Sequence, residues 1–178
     1  KVLNSDLTNF LSGVSDSEAS KAVEFVWGQA SSPVPFKKEK FKVWPVDTVF
    51  SLQTHGGAYK WDSNGNLFRK FSESDSVILN FPSLVDPDEQ MSLIISEFET
   101  EAHLSRPAFP VRMVMELLSE EEEIMKLFHE GELQDNLPYS INSTLKAGIL
   151  DIRFHLHTSR MSESGTVTNN ILVKAGPK

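Results

Sequence analysis

Residues 150–157 alternate strictly between apolar and polar side chains. The segment reads LDIRFHLH, with an apolar residue at every even position and a polar residue at every odd position. A strand with one buried and one solvated face produces this period of two, whereas a helix groups its apolar residues three and four apart. We therefore expect a sheet in which the four even residues face the core: Leu150, Ile152, Phe154 and Leu156.

Strand patterns cover most of the chain from residue 36 onward. Residues 166–174 repeat the alternation, and Asn64-Gly65 separates the two apolar stretches 58–61 and 67–71. Asn-Gly favours a tight hairpin turn, because both residues tolerate positive φ. Sequential strands joined by short turns pair with their neighbours, so we expect an antiparallel β-meander of about eight to ten strands. Such a sheet must hide one face as a curved sheet, a sandwich or a half-barrel.

The N-terminal portion has a different period. Leu7, Phe10, Leu11 and Val14 recur at helical spacing, and two prolines after residue 32 end any helix. The sequence thus predicts an α+β fold, mostly antiparallel β. We expect a single domain over residues 1–178, with a helical portion at 1–32 and an antiparallel β region at 36–178.

Charge and composition exclude several classes of function. The net charge is −8, with 17 basic and 25 acidic residues, which argues against a nucleic-acid partner. The one basic cluster, residues 37–42, alternates with apolar residues as the outer face of a strand does. The absence of cysteine excludes thiol catalysis and thiolate metal sites. No apolar run approaches the ~18 residues of a membrane helix, and no motif calls for a cofactor.

His155 and His157 are the candidate metal ligands. Two imidazoles at i and i+2 of a strand share one side, about 7 Å apart, which suits two ligands of one zinc ion. Asp151 lies on the same side, and His129 or His103 could join from other strands. The alternative is a solvated polar face, since nothing in the sequence fixes a third ligand.

Tyr59 and Trp61 are the candidate ligand-binding residues. They share one face of a predicted hairpin strand, where they could stack on a sugar ring or a partner, or pack into the core. Carboxylates alternate at Glu97, Glu99 and Glu101, a pattern that an outer strand face explains as well as paired acids for hydrolysis.

Two stretches resemble uncharacterised lipoproteins of the Bacteroidetes. The first runs from Gly57-Ala58-Tyr59-Lys60-Trp61-Asp62 through Phe68–Phe71 to residues 74–82 (SDSVILNFP). It is similar to that family's G-Y-x-W/F and S-D-x-I-x-x-x-F-P run, with Ala58 inserted between the Gly and the Tyr. The second runs from residues 137–142 (LPYSIN) through Leu145 and Gly148 to Phe154, and resembles the family's L-P-x-S-L and L-x-x-G-x-Y strand pair.

The resemblance bears on one ambiguous segment. On propensity alone Ser119–Gly131 favours a helix, with a capping box at Ser119 and Glu122 and a glycine where the helix would end. In the family this region is a β-hairpin, so the resemblance implies strands at 111–118 and 123–133 joined by an acidic turn. We favour the strands.

The resemblance also implies a location and a class of function. We expect an exported protein of the bacterial cell envelope, in the periplasm or at the outer-membrane surface. Contact with the membrane would run only through an N-terminal lipid anchor, whose cysteine this sequence lacks. We expect a non-enzymatic binding or assembly module, with a glycan, a lipid or another envelope protein as partner. The alternatives are a carrier of an apolar ligand in a curved sheet, and a metal- or carboxylate-dependent hydrolase.

Overall fold

The computed structural model describes residues 50–65, 67–83, 88–103, 106–135, 137–161 and 164–176. The predicted helical portion 1–32 and the basic strand at 37–42 lie outside these residues. The described elements are α1 Leu52–His55, β1 Gly57–Asp62, β2 Leu67–Ser72, β3 Val77–Pro82, β4 Gln90–His103, β5 Arg106–Ser119, β6 Glu122–Gln134, β7 Leu137–Ala147, β8 Leu150–Met161 and β9 Ser164–Ala175.

The described strands form one open sheet in the order β2-β1-β3-β4-β5-β6-β7-β8-β9. Strands β1 and β3 run parallel, and the seven other neighbouring pairs are antiparallel. From β4 onward each strand has 11 to 14 residues and pairs with the next one along the chain. The predicted, mostly antiparallel fold with a meander is therefore confirmed.

The ambiguous segment is a β-hairpin. Strands β5 and β6 pair up to Ser119 and Glu122, and the two residues between them, Glu120 and Glu121, have φ of 47° and 74°. Two positive φ angles are what a type I′ turn requires. The hairpin with its acidic turn is thus confirmed, and the helix favoured by propensity is wrong, because strand pairing on both sides of β6 outweighs local preference.

The Asn64-Gly65 hairpin pairs as predicted, but its turn is wider than the motif suggests. Strands β1 and β2 end their register at Asp62 and Leu67, so residues 63–66 make the connection. Neither Asn64 nor Gly65 has a positive φ. Instead, Asp62 Oδ1 accepts a hydrogen bond of 3.0 Å from the backbone N–H of Asn64, and this bond shapes the turn.

The core lies on one side of β1 to β5, here called the inner face. Its fully buried side chains include Leu79, Leu93, Ile95 and Met115, each 0–1% exposed. Phe50, just before α1, joins this cluster and meets Phe98 edge-on at 4.7 Å. Residues directly opposite each other on paired strands share a face, so the register extends the inner face across the remaining strands.

Candidate binding surface

A row of apolar side chains crosses the inner face from β3 to β9. Each member lies opposite the next in the strand register, and the row consists of Val77, Ile95, Met115, Leu127, Leu145, Ile152 and Val173. The first three are 0–1% exposed, the next three are half-buried, and Val173 is 59% exposed. We call this set the apolar row. All of its side chains are apolar, but the fraction of each side chain that is exposed to solvent rises from β3 to β9.

The neighbouring row also becomes more exposed toward β9, although the polar residues His129 and Ser143 lie between its apolar members. Met113 is 4% exposed, Phe154 is half-buried, and Ile171, which lies opposite Phe154, is 65% exposed. Thus the even residues of β8 do lie on the face that carries the core, as predicted, but they are half-buried rather than enclosed. Leu145, Ile152, Phe154, Ile171 and Val173 form a contiguous apolar surface, which we call the inner-face patch.

Strand β9 is one edge of the described sheet. It places three apolar residues in succession at this edge: Ile171 and Val173 on the inner face and Leu172, 46% exposed, on the other side. Its register with β8 covers all 12 residues of each strand without a bulge. The 12 residues contain one charge, Lys174, and no proline.

Strand β2, the opposite edge, is built differently. It has six residues, its register with β1 contains an irregularity at Ala58 and Tyr59, and it carries Arg69 and Lys70. Both cations are engaged: Arg69 pairs with Asp62, and Lys70 Nζ lies 2.6 Å from Glu73 Oε2. Short length, charge and irregular register are the usual means by which a sheet edge avoids pairing with another chain.

The side of the sheet opposite the inner face, here called the outer face, carries ion pairs on β5 to β8. Lys126 contacts Glu116 across β5 and β6, and this hydrogen bond raises the pKa of the lysine. Arg153 Nη2 lies 2.9 Å from Asp151 Oδ2 on β8, and its hydrogen bonds lower the pKa of that carboxyl. The two faces of the same strands therefore differ sharply in chemistry.

His155 and His157 lie on this outer face. Their rings are parallel within 3°, with centroids 6.5 Å apart, close to the spacing expected for i and i+2. His155 Nδ1 lies 2.5 Å from Asn142 Oδ1, and the His157 ring meets Tyr139 edge-on at 4.7 Å. Asp151, the nearest predicted third ligand along the strand, is hydrogen-bonded to Arg153.

The other two histidines proposed as partners do not join this pair. His129 lies opposite Met113 and thus on the inner face, with Nδ1 2.9 Å from Ser143 Oγ and Nε2 3.0 Å from the Pro110 carbonyl oxygen. His103 belongs to β4, four strands away from β8 in the sheet order. Among the described residues, no three His, Asp or Glu side chains come together as a potential metal site.

Tyr59 and Trp61 both lie on the inner face, where β1 meets the core. Tyr59 is 5% exposed, and its hydroxyl donates a hydrogen bond of 2.7 Å to the carbonyl oxygen of His55. Burial raises the pKa of this phenol. Trp61 is half-buried and meets Phe68 edge-on at 5.1 Å. The Tyr59 ring thus packs into the core, which was the alternative to ligand binding. Ligand binding by the half-buried Trp61 stays a prediction.

The alternating carboxylates begin with an ion pair. Glu97 Oε2 accepts a hydrogen bond of 2.5 Å from Arg112 Nε across β4 and β5. Glu99 and Glu101 are exposed. An exposed, cation-paired carboxylate is suited to stabilising the strand pair rather than to exchanging a proton with a substrate.

The exposed edge was not among the residues that sequence reasoning singled out. The alternation in residues 166–174 predicts a strand with Ile171 and Val173 on one face, which is correct for the strand. The overlooked signal was the run Ile171-Leu172-Val173 in a strand with a single charge, because apolar residues on both faces of a strand indicate contact on both sides.

No protein-family model matches this chain, and neither a curated protein nor a solved structure is significantly similar to it. No helix within the described ranges has the length and hydrophobicity to cross a membrane.

Proposed function

We propose that this chain is a non-enzymatic binding or assembly module of the bacterial cell envelope, working through the inner-face patch and the β9 edge. The observation that carries the proposal is the apolar row, whose exposure rises from 0% at Val77 to 59% at Val173. Soluble proteins seldom expose contiguous apolar surface unless a partner uses it. The envelope location rests on the two motif stretches that resemble Bacteroidetes lipoproteins.

A carrier of an apolar ligand is the second candidate. It is favoured by the part of the patch away from the edge, where Leu145, Ile152 and Phe154 are half-buried side by side on one face. An acyl chain laid across this face would cover all three. Solvent extraction of the purified protein followed by mass spectrometry distinguishes the two candidates, because a carrier retains a lipid in stoichiometric amount and an assembly module does not.

The proposal is tested by photo-crosslinking in cells that export the protein. A photoreactive amino acid replaces Ile171 in the patch, and the matched control replaces Asn64, exposed in the β1–β2 turn. We expect adducts from position 171 in the envelope fraction and none from position 64. The adduct mass identifies a protein chain or a lipid, and thus the assembly module or the carrier.

Two results would count against the proposal. One is the absence of any adduct at position 171 under conditions in which the protein is folded and exported. The other is recovery of the full-length protein in the cytosol, which would remove the envelope part of the proposal.

A further inference from the structure

We propose that the partner at the β9 edge is a second copy of this chain, paired antiparallel with the first about a two-fold axis at Leu172. This inference rests on the proposed function and names its partner. The juxtaposition that carries it is a long unprotected edge strand at the exposed end of the apolar row. Addition of a strand to an open sheet edge is a common mode of recognition, in which main-chain hydrogen bonds supply much of the affinity.

The contrast between the two edges is the first argument. Sheet edges that must stay unpaired are short, charged, irregular or interrupted by proline. Strand β2 has the first three of these properties, whereas β9 has 12 residues, one charge, no proline and a regular register with β8. The chain thus protects one of its two described edges and leaves the other open to pairing.

Charge is the second argument. Two copies of a chain with a net charge of −8 repel each other unless they meet at a surface without acidic residues. Strand β9 contains no acidic residue, and its Lys174 lies opposite Asp151 of β8, whose negative charge compensates it. The edge is therefore a place where two acidic copies can approach without like charges in contact.

Register is the third argument, and it favours a second copy over an unrelated strand. With the axis at Leu172, this residue lies opposite itself, and Ile171 lies opposite Val173 of the second copy on the inner face. Lys174 lies opposite Asn170 of the second copy, so the only cation of the strand meets a neutral amide. The same symmetric arrangement makes each apolar row continue into the inner face of the other copy, as an isologous contact requires.

The test uses the absence of cysteine from the chain. The variant Leu172→Cys carries a single thiol that lies on the proposed axis, where opposite Cα atoms of an antiparallel pair are about 4.5–5.5 Å apart, within the range that a disulfide spans. We expect mild oxidation of the full chain to convert this variant into a disulfide-linked dimer. Phe71→Cys is the matched control, because Phe71 is an apolar residue of the β2 edge that is 63% exposed.

We expect the control to form at least about tenfold less dimer under the same conditions. Equal cross-linking of the two variants would overturn the inference, because it would show random collision. The unmodified chain gives the second measurement: sedimentation equilibrium is expected to yield the mass of two chains, and a monomer throughout the micromolar range would also overturn the inference.

A charge variant completes the design. Leu172→Lys places two ammonium groups face to face on the axis, and we expect it to raise the dimer dissociation constant at least about tenfold, while Phe71→Lys leaves it unchanged. Leu172 is 46% exposed, so the lysine need not be buried, and circular dichroism checks the fold. If the chain is monomeric but position 171 still yields adducts with another molecule, this inference fails and the proposed function stands. If neither occurs, both fail.

Discussion

Arg69 Nε donates a hydrogen bond of 2.6 Å to Asp62 Oδ2, so that an ion pair joins the two strands that flank residues 63–66. The hydrogen bond from Arg69 is the main reason why the pKa of Asp62 lies below its usual value of 3.8, and the backbone N–H of Asn64 adds to it. A single carboxylate thus holds both the turn and the strand pair.

The first prediction concerns the acid response of this hairpin. Because the pKa of Asp62 is lower in the folded chain than in the unfolded chain, the ionised carboxylate stabilises the folded chain. This stabilisation is fully present above pH 3.8 and is lost as the pH falls through the pKa of the folded chain. We expect an NMR titration of the Leu67 and Phe68 amides to show this transition. Asp62→Asn should abolish it, and a transition that persists in the variant would contradict the assignment.

The second prediction concerns the β5–β6 turn. Glu120 and Glu121 both have positive φ, which is unfavourable for residues with a Cβ atom. Replacing Glu121 by glycine should raise the free energy of unfolding by about 1 kcal/mol, measured by urea denaturation. The control Glu122→Gly places glycine at the first residue of β6, opposite Ser119, and should lower the free energy of unfolding. Equal effects of the two variants would exclude strain at Glu121 as the cause.

The third prediction compares two positions on the inner face. Leu79 is 0% exposed, so Leu79→Ala should lower the free energy of unfolding by about 2–5 kcal/mol. Phe154 is half-buried, and Phe154→Ala should lower it by about 1–1.5 kcal/mol. The same denaturation experiment measures both. A larger loss at Phe154 than at Leu79 would show that the core extends into β8.

The fourth prediction concerns His55, which is 1% exposed and stacks on Phe50. Burial lowers its pKa below 6.5, although the backbone of Ser51 opposes the shift. Below pH 6.5 the unfolded chain therefore binds a proton at His55 that the folded chain does not bind. The free energy of unfolding accordingly decreases as the pH is lowered below 6.5. His55→Asn should weaken this decrease in the midpoint of thermal unfolding. An identical pH dependence in both proteins would be the contrary result.

The fifth prediction concerns the paired histidines. Because the described residues supply no third side chain for a metal beside His155 and His157, stoichiometric zinc should leave the midpoint of thermal unfolding unchanged. The variant His155→Ala should behave in the same way. A zinc-dependent increase that the variant loses would reveal a functional metal site and revive the hydrolase alternative.

Particular residues show what the sequence predicts and where it fails. The alternation in β8 correctly predicts which side chains share a face, because period two follows directly from strand geometry. It does not predict that Phe154 is only half-buried, because the alternation assigns side chains to a face and carries no information about which other residues pack on that face. Four of the five residues of the inner-face patch lie on β8 and β9, so their exposure depends on where these two strands lie within the sheet.

The two turns show a second limit. Asn64-Gly65 has the best sequence for a turn with positive φ and does not use it, whereas Glu120-Glu121 has an unfavourable sequence and does. In both hairpins the strand register decides how many residues remain for the turn. The turn residues then take the conformation that the register requires. In the β1–β2 turn a hydrogen bond to the Asp62 side chain supports it, and in the β5–β6 turn Glu120 and Glu121 take strained backbone angles.

The strand order from β4 to β9 follows the chain order, and this has a consequence for how the sheet assembles and comes apart. Within the described sheet each of these strands is hydrogen-bonded to its neighbours in sequence, so the stability of the sheet is approximately a sum over adjacent strand pairs, as in a stack of repeats. The β4–β5 hairpin, with its buried side chains, can form from residues close in the chain and template β6 and the strands after it in turn. In a single copy of the chain β9 has one neighbour among the described strands, so its opening breaks one interface, and hydrogen exchange in the monomer should slow progressively from β9 back toward β4.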